Sequence, residues 1–170
     1  MLRLLGSVLL MAGAVGVALG LIGKLTARLA LLRALVQALE WVERELLFRL
    51  TPMSVLLKTL AERKESPAAP FFSAVYRGMA HLNETPLSRS WSEAAEEYLA
   101  PLTDEERAEV SGLGLILGRY DGEAQRAALG QAVETLKVCC GEAKSEKLRL
   151  GKVYGVLGVT AGMFLVVLLL

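Results

Sequence analysis

The chain has little of what most catalytic sites are built from. Its 170 residues include one histidine, His81, and two cysteines, the adjacent pair Cys139-Cys140. With a single imidazole, no Ser/His/Asp set is worth naming. A metal centre needs several ligands brought together, and His81 is far from the cysteines in sequence, so no metal site is expected. Adjacent cysteines bridge each other only with strain. The pair reads as two small apolar residues on a helix.

Acidic residues are missing from both ends. All 18 lie between Glu40 and Glu146. Nothing charged stands between Arg3 and Lys24, and nothing charged follows Lys152. The uncharged run 4–23 is about the length a helix needs to cross the hydrocarbon core, and 153–170 is near the lower limit of that range. The 54% hydrophobic composition therefore reflects two apolar ends on an ordinary charged middle. That middle is long enough for one domain.

The first segment could be a cleaved signal peptide, with its basic start and the small residues Ala12-Gly13-Ala14. Its apolar run exceeds the usual hydrophobic region of such a peptide, so a retained anchor is the reading. Lys24, Arg28 and Arg33 follow the first segment before any acid appears, and Lys144, Lys147, Arg149 and Lys152 precede the second. Basic flanks stay in the cytoplasm. The expected organisation is a transmembrane helix at 1–23, a cytoplasmic helical domain at 24–152 and a transmembrane helix at 153–170. The N-terminus lies outside, and the C-terminus lies at or just past the outer face.

The middle reads as helix throughout, since no stretch alternates apolar and polar residues and Val and Ile are sparse outside the ends. Leu25, Leu29, Leu32, Val36, Leu39, Val42, Leu46 and Leu50 recur at spacings of three or four, one stripe of an amphipathic helix. It can be continuous with the first membrane segment. Thr51-Pro52 ends it, and Thr51 is expected to cap a second helix over "MSVLLKTLAERK". Three short helices follow. The first should bury Phe71, Phe72, Val75, Met79 and Leu82. The second carries Trp91, Ala94, Ala95 and Tyr98. The third opens with Thr103 and Glu106 at capping-box spacing. Gly112, Gly114 and Gly118 there permit close packing or end the helix. Asp121 is expected to cap a last helix that runs without proline into the second apolar segment. The stems 24–50 and 122–150 would span about 40 and 43 Å and can lie antiparallel. The fold class is all-α: an antiparallel helical bundle rooted by an N-terminal and a C-terminal transmembrane helix.

Motifs for chemistry are weak. "GLIGKLT" has Ala18 where a phosphate loop needs its first glycine and Leu25 where it needs Ser or Thr, and no strand precedes it. "GLGLILG" lacks the strand of a dinucleotide fingerprint. Asn83-Glu84-Thr85 has the form of a glycosylation sequon but falls on the cytoplasmic side and is followed by Pro86. No cofactor and no catalytic residue is assigned, and an enzyme is not expected.

Two surfaces remain as candidates for binding. Glu93, Glu96, Glu97, Asp104, Glu105, Glu106 and Glu109 cluster with Arg107 as the one cation among them. They form either a solvated face or a docking surface for a basic partner. Gly151, Gly155, Gly158 and Gly162 share one helix face in the second apolar segment, and Ala12, Gly16 and Gly20 share one in the first. Small residues on one face allow close helix packing in lipid. The apolar segments offer only Ser7 and Thr160 as polar groups at depth. That weighs against the alternative of a channel or transporter subunit whose helices line a pore.

The order of these pieces resembles the stage III sporulation protein AB family of endospore-forming bacteria. The similarity covers nearly the whole chain. It is carried by "ALEWVERELLFRLTPMSVLLKTLAE" and "LGLILGRYDGEAQRAALGQAVETLKVCCGEA". Glu45 and Thr51-Pro52 stand where the family has an acidic residue and a TP turn, and Leu117-Gly118, Asp121 and Gln125 match its LG–D–Q pattern. The chain departs from the family at Cys139-Cys140, where relatives are more charged. The resemblance implies a cytoplasmic domain similar to the F-type platform proteins of type II secretion. It implies a place in the mother-cell membrane, within a channel complex between mother cell and forespore. The partners it implies are other stage III sporulation proteins, including a secretion-type ATPase. Membrane lipid is a further expected partner, nucleic acid is not, and a homo-oligomer is compatible.

Overall fold

The computed structural model describes the backbone of residues 2–49, 51–79, 86–117 and 122–169, with side chains described throughout 19–46 and 123–153 of the two long helices. The elements described are α1 (Leu2–Phe48), α2 (Met53–Glu62), α3 (Ala69–Gly78), α4 (Leu87–Tyr98), α5 (Asp104–Leu113) and α6 (Gly122–Leu169). All are helical, as the sequence predicts.

The α1 helix is one rod of 47 residues, continuous through Gly23. Its second half is rich in Leu, Ala, Arg and Glu, which lose little freedom in a helix. Pro52 disfavours the helical conformation at Thr51 and so ends the run. The cap of α2 differs from expectation. Pro52 itself is the N-cap residue, and its carbonyl accepts from the amides of Val55 at 3.0 Å and Leu56 at 3.2 Å. The Thr51 hydroxyl instead donates to Glu45 Oε2 at 3.3 Å. The acidic residue and the TP turn of the sequence pattern are thus joined by a hydrogen bond across the corner.

The chain divides into two compact units, residues 28–141 and residues 1–27 with 142–170. Within the first, α2, α3, α4 and α5 pack in succession, each on the one before it. The α1 and α6 stems run antiparallel there. Lys137 Nζ reaches Glu40 Oε1 at 3.1 Å, while a Cβ on the earlier Gly130 would lie 3.5 Å from Oε1 of the later Glu43. Rising numbers on one helix face falling numbers on the other.

The core joins Leu32, Leu35 and Leu39 of α1 to Leu56, Phe71, Trp91 and Leu136, all essentially sealed from solvent. The ring of Phe71 meets those of Phe72 and Trp91 edge-on, with centroids 4.9 and 5.2 Å apart. Trp91 Nε1 donates to the Val110 carbonyl at 2.8 Å, which fixes α4 on α5. Gly114 is needed at this contact, because a Cβ there would come within 2.7 Å of Trp91 side-chain carbons. The expected α1 stripe is buried at Leu29, Leu32, Val36, Leu39 and Val42. Leu31, Leu35 and Ala38 are buried beside it. The buried surface is broader than one stripe because α1 meets α6 on one side and the short helices on another. On α3 and α4, Phe71, Phe72, Val75, Trp91, Ala94 and Ala95 are buried as expected. Met79 and Tyr98 are only half-buried.

Among the described residues no helix is long and apolar enough to cross a membrane. The two expected spans fall largely on side chains outside the described residues. Leu50, His81, Leu82, Gly118 and Asp121 also lie outside them.

Candidate functional site

The α5 helix is built around its first turn. Thr103 adopts an extended conformation at the N-cap, and its hydroxyl accepts from the Glu106 amide at 3.3 Å. The Glu106 carboxylate returns the contact by accepting from the Thr103 amide at 2.9 Å. This is the capping box read from the sequence. It satisfies two of the four amides that a helix start leaves open.

The same carboxylate receives a second element. Arg28 of α1 donates Nη2 to Glu106 Oε1 at 2.7 Å and Nε to both oxygens at 3.2 and 3.1 Å. The fork matches the carboxylate plane, the strong geometry for this pair. Only 3% of the Glu106 side chain and 17% of that of Arg28 remain exposed. Glu106 therefore does not belong to the acidic face expected at residues 93–109. As the N3 residue of the box it must fold back over the helix start, and that direction is inward, toward α1. Burial pushes its carboxyl up. The hydrogen bonds from Arg28 and Thr103 and the Arg28 charge outweigh that effect, and the net value lies below the ordinary one.

The other six acids fall into three groups. Glu93 is exposed and held by Arg89 on its own helix at 2.8 Å. Glu96 and Asp104 converge on Arg107, at 3.2 and 3.3 Å, so that one guanidinium bridges α4 to the start of α5. Its Nη2 also donates to the Leu102 carbonyl at 3.2 Å, which leaves the group little freedom. Glu97 and Glu105 are exposed and make no ion pair among the described residues, and Glu109 is half-buried. A hydroxyl contact between Ser111 and Ser92 at 3.1 Å adds a second bridge between the two helices. The acids thus sit on two helices fixed to each other, and two of them are unneutralised. Such an array holds negative charge in a fixed arrangement on the surface.

The small-residue faces are described only in part. Gly16 and Gly20 are exposed, and a Cβ added at Gly16, Gly20 or Gly151 would meet nothing within 4 Å. Among the described residues no second helix uses the space at these three positions. Ala12, Gly155, Gly158 and Gly162 lie outside the described residues. The thiols of Cys139 and Cys140 are half-buried. Burial pushes the Cys140 thiol up, and the nearby Arg33 charge offsets part of that. A thiol raised in this way is a poor nucleophile. Among the described residues no cluster of His, Cys, Asp and Glu could hold a metal ion.

Sequence reasoning missed Arg28 as a structural partner. It stood in a basic run that served only as a topology signal. Its place on the helix face that also carries Leu32 and Leu35 would have marked it as turned inward, in need of a buried acid.

The family model described as Stage III sporulation protein AB matches residues 3–170. A solved structure titled Stage III sporulation protein AB superposes with a TM-score of 0.64 at 20% identity, covering 72% of this chain and 98% of that one. At that identity the likeness speaks for the fold. No curated protein sequence matches.

Proposed function

The chain belongs to the stage III sporulation protein AB family, and from that membership we propose that it is a non-enzymatic platform subunit of the sporulation complex on the mother-cell side. In this reading the 1–23 and 153–170 segments anchor it in the mother-cell membrane. The helical middle, on the cytoplasmic side, docks a secretion-type ATPase and transmits its movement to the assembly above. The family match over nearly the whole chain carries the proposal.

The geometry supports a docking role. A platform needs a surface that keeps its shape under load. The acidic face rests on helices tied together by Trp91, Arg107 and the serine pair, and α5 is tied to α1 through Arg28 and Glu106. Of the charges around the cap, Arg28, Glu106, Arg107 and Asp104 are committed to these contacts, while Glu105 stays exposed.

Two experiments test the parts separately. The 170-residue chain in detergent should retain the secretion-type ATPase of the sporulation complex in a pull-down. Failure to retain it at physiological salt would remove the ATPase link. A reporter fused at about residue 90 should be active only as a cytoplasmic reporter. Activity of a periplasmic reporter there would overturn the topology, because basic flanks are the argument for it.

A further inference from the structure

Apart from the acidic face, the 28–141 unit carries an open groove of about 740 Å³ between α1 and the turn from α2 to α3. Its α1 wall includes Ala30, Ala34 and Ala38, spaced one turn apart. The wall deepens along the helix: Ala30 is exposed, Ala34 half-buried and Ala38 buried. Three small residues in a row leave a straight track about 12 Å long, two helical turns. Buried Leu60 and Phe72 form the apolar side of the groove.

The rim carries three of the unit's exposed cations, whereas Arg28 is committed to Glu106, Arg107 to Glu96 and Asp104, and Lys137 to Glu40 and Glu134. Arg33, Arg63 and Lys64 border the groove and make no ion pair among the described residues. All three are exposed. Arg63 is held over the Trp41 ring at 4.9 Å, a contact that positions the guanidinium without neutralising it. Glu62 and Glu65 also line the groove, and Glu62 lies 4.0 Å from Lys58. The balance at the rim is positive.

We propose that this groove docks an acidic amphipathic helix of a partner protein. Recognition of a peptide as an added strand needs a sheet edge, and the described residues offer none. Recognition of a proline-rich segment needs exposed aromatic walls, and Phe72 is buried. A helix laid along another helix over small residues fits the track, with its apolar side inward and its carboxylates on the rim cations. The surface is distinct from the acidic face and takes a partner of opposite charge.

The test uses full-length chain in zwitterionic nanodiscs and three labelled synthetic 18-residue peptides. The first is a helix with alanine and leucine on one face and glutamate on the other. The second carries lysine for glutamate. The third has the first peptide's composition in scrambled order. The first should bind, more weakly as salt rises, and the other two should bind at least tenfold more weakly. The paired change Arg33→Glu, Lys64→Glu should weaken the first peptide at least tenfold. Ala30→Tyr, at an exposed position, should do so without altering charge. Both variants should keep their melting temperature and helix content. No binding by the first peptide overturns the proposal, as does equal binding by the scrambled one. Displacement by millimolar inorganic phosphate would make the groove an anion site instead. Self-association of the chain, lost in the same variants, would assign the groove to a second copy.

Discussion

Within six residues at the start of α5, acids of one sign meet opposite surroundings. Glu106 is turned inward, almost fully buried, and held by Arg28 and the Thr103 amide. Glu105, its neighbour, is exposed and unpaired among the described residues. Their chemistry is the same, and what separates them is helix position. The N3 residue of a capping box must point back over the helix start, while the residue before it points away. Charge density in a sequence therefore does not define a surface until the helix phase is known. The inner residues should control stability and the outer ones should control binding, and a series of substitutions can separate the two.

The largest expected effect is on the inner side. Trp91→Ala empties the centre of the aromatic cluster and leaves the Val110 carbonyl without its donor, a loss of about 4 kcal/mol by chemical denaturation. Glu106→Ala strands the Arg28 charge and removes half of the capping box. It should cost about 3 kcal/mol. The double variant Arg28→Met, Glu106→Leu should be more stable than Glu106→Ala, since no uncompensated charge is left inside. A double variant as unstable as the single one would mean that the cap, and not the stranded charge, dominates. Gly114→Ala forces a Cβ against Trp91 and should cost about 1 to 3 kcal/mol.

Acid sharpens the same contrast. The Glu106 carboxyl is lowered in the folded state, so its contribution is fully present above the ordinary carboxylate value of 4.5 and is lost as pH falls from there through the folded value. Between those limits the wild-type chain should lose stability more steeply than Glu106→Gln. Melting curves of the two taken at successive pH values check this, and parallel curves would count against the lowered value. The smallest effect on stability belongs to the outer side. Glu97→Lys and Glu105→Lys should each stay within about 0.5 kcal/mol of wild type.

Much of the fold was legible because it rests on local signals. The apolar spacing of α1, the Thr103–Glu106 box and the proline break at Pro52 each set one element, and the structure places the elements there. The long-range choices were less visible. Thr51 had the look of a cap, yet its hydroxyl went to Glu45, because Pro52 itself begins α2. Leu31, Leu35 and Ala38 fell off the expected stripe because α1 is covered from more than one side. Glu106 was counted with the exposed acids because its partner is 78 residues away. The groove was illegible for the same reason: Ala30, Ala34 and Ala38 are ordinary helix formers until a turn from elsewhere in the chain is set opposite them.

The outer acids of α4 and α5 are expected to serve binding, and the inner one to serve the fold. The most direct measurement is the affinity of the secretion-type ATPase for full-length chain in nanodiscs, comparing wild type with the double variant Glu97→Lys, Glu105→Lys at low and physiological salt. Exposed charges are screened over about 8 Å at physiological ionic strength. Wild-type affinity should fall as salt rises. The double variant should melt with the wild type but bind at least tenfold more weakly, with a flatter salt dependence. Unchanged affinity in a variant that remains folded would contradict a binding role and return the acidic face to a solvated surface.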